Sequence, residues 1–196
     1  AGTYERSRAK VAYADRMMDG SKFDRDAWNV RFTQRNLTPW FSELELRYGE
    51  SEIDHVMDTY SLRTIRNPAG KQIKNANNPK RNTDTGRLKA TFDWDNLNLQ
   101  TGVDYMDDVH VARMERGGDG YSHKPYMPNQ SFKQWGVFTE AAWQQTDKQR
   151  WVAGLRHDRV KADYDSADVT DPTLKHQKFN LNSGFLRWER DTDNGL

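Results

Sequence analysis

The chain has 196 residues, a net charge of +1, 30% charged and 12% aromatic residues, and no cysteine. Disulfides, thiolate metal sites and cysteine nucleophiles are therefore excluded within it, and the balanced charge favours neither nucleic acid nor an acidic membrane surface. Mean hydropathy is -1.07 and no apolar run approaches the roughly 20 residues of a spanning helix, yet seven Trp are too many for a disordered chain.

The first residue is Ala, and no charged and apolar leader follows. Together with a last stretch, DTDNGL, that reads as a turn before another strand, this points to a piece of a longer chain. Along it, polar and apolar residues alternate with the strand period of two. An opening segment, Ala9–Arg16, precedes a polar loop, Met17–Arg25. Ala27–Arg35 sets Trp28, Val30 and Phe32 against Asn29, Arg31 and Thr33. The turn Asn36–Trp40, with Pro39, leads to Ser42–Tyr60, in which Leu44, Leu46 and Tyr48 oppose Glu43, Glu45 and Arg47.

A long polar connection, Ser61–Thr85, follows. Gly86–Trp94 (Leu88, Ala90, Phe92, Trp94) turns at Asp93–Asn96 into Leu97–Val111 (Leu97, Leu99, Val103, Tyr105). The loop Ala112–Gln130 precedes Phe132–Gln144, with Trp135, Val137, Thr139, Ala141 and Trp143 on one face. Past the turn Gln145–Gln149 come Trp151–Tyr164, a loop Asp165–His176 and a last strand Lys178–Glu189. There Leu181 and Phe185 fall out of phase with Leu186 and Trp188, so a bulge is expected.

Short turns at 36–40, 93–96, 145–149 and 191–195 thus alternate with long polar loops at 17–25, 61–85, 112–130 and 165–177. Short links at one end of antiparallel strands and long ones at the other are the pattern of outer-membrane barrels. Trp40, Trp94, Trp143, Trp151, Trp188, Tyr48 and Tyr105 lie near segment ends, as interfacial girdles require, and each apolar stretch spans roughly a tilted bilayer crossing. The fold class read from this is all-β: an antiparallel up-and-down transmembrane β-barrel segment of about eight strands, with short periplasmic turns and long extracellular loops. A soluble antiparallel barrel or sandwich uses the same alternation and stays open.

Carried past Tyr48, the register places His55 and Met57 on the charged face, two residues apart, where imidazole and thioether can reach one ion. That donor pair suits a soft metal such as copper better than calcium or magnesium. The competing reading is a short amphipathic helix over Glu50–Tyr60, because Ile53, Val56, Met57 and Tyr60 have helical spacing; the two donors would then diverge. Met106 and His110 share the inward parity of Gln100 and Asp104, and Met114 follows at the same spacing, so the three form a possible secondary capture site. Met17 and Met18 sit in an outer loop, where they could contact an incoming copper ion or act as gap-fillers, and His123, His157 and His176 lack partners in sequence, His157 falling on the outward face.

The segments YADRMMDGSKFDRD (13–26), IDHVMDTYSLR (53–63), FKQWGVFTEAAW (132–143) and WVAGLRHDRV (151–160), with the strand Leu97–Asp104, together resemble the TonB-dependent copper receptors of Gram-negative outer membranes. The resemblance implies that His55 and Met57 are copper ligands, the barrel half of a site whose other half, a Cys-x-x-x-Met, belongs to an N-terminal plug. It implies copper, as Cu(I) or Cu(II), as the transported ligand. Outer-membrane lipid and the TonB energy-transducing complex, reached through an N-terminal region, are the implied partners. The whole of 1–196 would be part of the barrel, without plug or TonB box, and short of the roughly 22 strands of such a ring.

A TonB-dependent receptor for a metal–siderophore or other chelate is the nearest rival. A soluble ligand-binding β-domain or an outer-membrane hydrolase barrel is a further one. Hydrolysis would need a base–nucleophile couple, and the adjacent pairs His157-Asp158 and Asp54-His55 point to opposite faces of a strand, so no enzyme activity is expected. Lys71, Lys74, Lys80 and Arg81 read as a solvated basic loop rather than a nucleic-acid surface.

Overall fold

Alternating segments joined by tight turns pair with their neighbours in sequence. The computed structural model, which describes residues 1–165 and 171–192, shows one antiparallel sheet of eight strands in chain order. The strands are β1 (Gly2–Val11), β2 (Asp19–Arg35), β3 (Phe41–Asp58), β4 (Asn75–Trp94), β5 (Leu97–Arg116), β6 (Met127–Thr146), β7 (Gln149–Tyr164) and β8 (His176–Arg190). The links 36–40, 95–96 and 147–148 are short and gather at one end, while 12–18, 59–74 and 117–126 are longer and gather at the other. Asn36 opens the first short turn at φ 54°, a left-handed conformation that Asn tolerates better than most residues.

Directly opposed residues of neighbouring strands share a face, and the register sorts the chain cleanly. Leu46, Leu88, Val103 and Val137 fall opposite one another in turn, with Leu155, Leu186 and Trp188 on the same side. This belt is bare: Leu155 is 68% and Leu186 69% exposed, whereas the buried apolar residues described are Ala27, Val56, Ala76 and Val152. Such a belt needs an apolar solvent or a second layer, and its height matches a bilayer. Tyr105 and Trp135 pack at 4.5 Å along its upper rim, and Trp151 and Trp188 at 6.3 Å along its lower one. From Trp135 to Trp143 the rise is roughly 27 Å along the strand, on the scale of the roughly 25 Å apolar band of a membrane barrel.

Four rim aromatics give their polar tips to carboxylates on the outward side: Tyr4 to Asp26 (2.6 Å), Trp28 to Glu50 (2.9 Å), Tyr48 to Asp84 (2.7 Å) and Tyr105 to Asp107 (3.1 Å). The opposite face is mostly polar and carries paired charges. Arg31 and Arg47 pair with the buried Glu45, and Arg156 bridges Asp104 and Asp158, 2.6 Å from each.

Several expected boundaries move. Strand β1 lies at Gly2–Val11 rather than Ala9–Arg16. Strands β2 and β4 begin inside the segments read as loops 17–25 and 61–85, and β5 continues to Arg116. The cause is common to all. Above the belt neither face meets lipid, so the strands continue without an apolar period and are held by the backbone ladder and cross-strand ion pairs, such as Lys80–Glu52 at 2.8 Å. Lys80 and Arg81 are therefore strand residues, not part of a basic loop, and Arg81 pairs with Asp108.

The bulge expected in the last strand is absent: β7 and β8 pair without interruption from Gln149↔Arg190 to Asp163↔His176. Phe185 lies on the polar face because its ring fills the space over Gly154, where a Cβ would stand 2.4 Å from it. Residues 166–170 of the predicted loop Asp165–His176, and the last turn beyond residue 192, lie outside the described residues.

The long links 59–74 and 117–126 fold against the outward side of the protruding wall. Tyr60 donates to Glu115 (2.8 Å), Tyr126 to Asn78 (2.9 Å) and Arg113 to Asn78 (2.8 Å), with the Arg113 guanidinium over the rings of Tyr121 and Tyr126. Buried Asp58 anchors the first link, accepting from the hydroxyls of Ser21 (2.5 Å) and Ser61 (2.6 Å) and from the backbone amides of Tyr60 and Ser61. Val56, Ala76 and Asn78 are buried beneath this cover.

Candidate metal site

Strand β3 runs unbroken to Asp58, so the helical reading of 50–60 does not hold. The extended backbone puts His55 and Met57 on the side of Glu45 and Arg47, about 23 Å and 30 Å along the strand from Tyr48. They therefore stand on the protruding polar wall, well above the aromatic rim. Asn78 steadies this stretch from behind, its amide donating to the His55 carbonyl (2.9 Å) and to Asp54 (2.7 Å).

Register sets Phe23 of β2 opposite His55, and the two rings stack with centroids 4.7 Å apart and planes 8° from parallel. Gly20 makes this possible. It pairs with Met57 across a bulge in β2, and the Phe23 ring occupies the place where a side chain at 20 would stand, 1.9 Å from a built Cβ. Burial lowers the His55 imidazole below its ordinary range; nearby Asp54 pulls the other way and His110 adds to the lowering. A neutral imidazole is the form that ligates a metal.

His55, Met106 and His110 line one recess of about 370 Å³ on this face, with Ile53, Arg81 and Phe132. His110 Nδ1 lies 3.0 Å from Asn129 Nδ2, so the amide donates to it. Asp108, on the same wall, is held by Arg81, whose Nε donates to both carboxylate oxygens (2.8 and 2.9 Å) and whose Nη2 donates to Oδ2. Met57 lies one step up the wall, opposite Gly20 and Asn77. Met114 is on β5 rather than in a loop; it pairs with Asn77 and lines a separate recess of about 740 Å³ with Met127. The structure thus joins Met106 and His110 to His55 and separates Met114 from them.

Sequence reasoning missed Phe23 and Gly20, which hold His55, and Met127 and Asn77 beside Met114. The Asn77 amide oxygen is buried with no hydrogen-bond partner among the described residues. No cluster of three or more His, Asp or Glu side chains fit to cage a cation occurs among the described residues, so what the wall offers is dispersed imidazole and thioether. His157 faces outward beside Asn182 (2.7 Å).

Residues 2–194 match the family described as TonB dependent receptor-like, beta-barrel. The chain belongs to the TonB-dependent receptors. The apolar side of its sheet is accordingly the lipid side of a transmembrane barrel wall and the charged side its lumen, with the short turns periplasmic and the long loops extracellular. Among solved structures, 27 chains match. One of them, the copper transporter OprC, superposes with a TM-score of 0.88 at 30% identity over 98% of this chain. The present chain spans 31% of that transporter's length. No curated protein matches.

Proposed function

We propose that this chain is wall of an outer-membrane receptor that takes up copper ions by TonB-dependent active transport, with His55 and Met57 as the barrel's ligands. The observation carrying the reading is positional: both side chains occupy adjacent lumenal positions of β3, on the extracellular side of the aromatic rim. The likeness to a copper transporter supports it, as does a donor set of soft sulfur and borderline imidazole.

In this mechanism the ion is caught from the extracellular side by His55 and Met57, with Met106 and His110 in the neighbouring recess as lower-affinity contacts and Met114 beyond them. The ligand set is completed by a plug carried elsewhere in the protein. Force transmitted through TonB then rearranges the plug and releases the ion inward. The process exchanges ligands and forms no covalent bond, so it asks for no enzyme chemistry.

The test is the double substitution His55→Ala/Met57→Ala in the full-length receptor, with bound copper measured by metal analysis and anomalous scattering. Loss of copper from a folded barrel is the expected result. Unchanged copper stoichiometry rejects the site, and metal retained only as an intact chelate rejects the free ion as cargo.

A further inference from the structure

We infer that Asn77 is a third copper donor of the barrel wall, its amide oxygen serving Cu(II); the inference rests on the proposed site at His55 and Met57. Asn77 of β4 lies directly opposite Met57, so their Cβ atoms stand roughly 5 Å apart on the lumenal face. His55 precedes Met57 by two residues on that face, about 7 Å along the strand. An ion held between the imidazole and the thioether is therefore within side-chain reach of Asn77.

Elimination singles this residue out. Across the sheet the donor pair meets Phe23 and Gly20 on β2 and Asn77 on β4, with Pro79 beside His55 in the recess. A phenyl ring, a bare backbone and a pyrrolidine ring offer a metal no side-chain donor, so Asn77 alone of the four does. Its oxygen is also unclaimed. Oδ1 is buried with no hydrogen-bond partner among the described residues, although buried polar atoms are nearly always paired. Its two cross-strand partners, Met57 and Met114, are thioethers and have no hydrogen to donate. The other amides of this stretch are engaged: Asn78 donates to Asp54 and to the His55 carbonyl and accepts from Arg113 and Tyr126, and Asn129 donates to His110. Asp108, the carboxylate lining the recess with His55, is taken up by Arg81.

The donor types divide the work. A thioether is soft and suits Cu(I), an amide oxygen is hard and suits Cu(II), and imidazole serves either. His55 is then common to both oxidation states, with Met57 completing the wall's share for the reduced ion and Asn77 for the oxidised one. A single neutral oxygen does this without building the carboxylate set that calcium takes. Coordination also supplies the partner that the buried oxygen lacks.

The test compares the native full-length receptor with Asn77→Leu and Asn77→Asp. Calorimetric titration reads binding of Cu(II) and of Ag(I), a redox-inert stand-in for Cu(I), and electron paramagnetic resonance reads the Cu(II) donor set. Asn77→Leu should weaken Cu(II) at least about tenfold and change Ag(I) less than about twofold, with a Cu(II) spectrum distinct from the native one. Asn77→Asp, which returns an oxygen, should bring Cu(II) affinity back to within about threefold of native or better. Unchanged Cu(II) affinity or an unchanged spectrum in Asn77→Leu overturns the inference. So does an equal loss of Cu(II) and Ag(I), the result for an amide that only supports the fold or accepts an N–H from the plug. A native receptor that binds neither metal refutes the site at His55 and Met57 and this inference with it, whereas native binding indifferent to residue 77 refutes the third donor alone. Heat-modifiable gel migration reports folding; should Asn77→Leu misfold, Asn77→Ala takes its place under the same expectations.

Discussion

Substituting Gly20 by Ala isolates the support of His55 without touching a ligand. The new Cβ would stand 1.9 Å from Cε2, 2.7 Å from Cζ and 2.9 Å from Cδ2 of Phe23, so the ring must move by about 1.5 Å or more to reach ordinary contact. Such a shift breaks a stack now 8° from parallel at 4.7 Å. A stacked aromatic pair contributes about 0.5–1.5 kcal/mol, and on the proposed copper site that loss, felt as freedom of the imidazole, should lower copper affinity about two- to tenfold. Calorimetric titration of the full-length receptor with copper measures it. Phe23→Leu, which removes the ring and leaves Gly20 alone, should give the same deficit. NMR of the His55 ring should show its pKa moving back up toward the ordinary range as the burial that lowers it is relaxed. Affinities of both variants equal to the native value, in a folded barrel, would falsify the claim that Phe23 holds the imidazole.

Asp58→Asn should loosen the link 59–74 by about 1–3 kcal/mol, because a buried acceptor of four bonds loses its charge; hydrogen exchange of that segment reads it. Burial works to raise the Asp58 carboxyl, but the bonds donated by Ser21, Ser61 and the backbone amides prevail and hold it below the usual carboxylate range. A depressed carboxyl contributes stability above its unfolded value of about 3.9, lost as the pH falls through the folded value. The native link should therefore stay protected at pH 5 and begin to open only below about pH 4. Leu155→Arg, at mid-belt, should cost about 2–4 kcal/mol by urea unfolding in vesicles; a cost near zero would place that face out of lipid.

What was legible in the sequence was whatever a bilayer imposes. Leu44, Leu46 and Tyr48 against Glu43, Glu45 and Arg47 announce a strand with one face in lipid, and the spacing of short and long links follows from the hairpins. Asn75–Thr85 was illegible as strand because no lipid meets its outward face, which is covered by loops at Ala76 and Asn78 and wet elsewhere, so the apolar period is lost. Phe185 misled for the opposite reason, being an apolar residue on the lumenal face that covers a glycine. The parity of His55 and Met57 could be counted along one strand. Their setting could not, since Phe23 and His110 reach His55 through pairings with β2 and across β4, and no local signal encodes a long-range register.

The outward fold of links 59–74 and 117–126 bears on selectivity. Tyr60, Tyr121 and Tyr126 are tied to the back of the wall, so among the described residues these two links leave the mouth unroofed in front of His55. On the proposed copper reading, a solute arriving there meets donor atoms before it meets any cover from these two links.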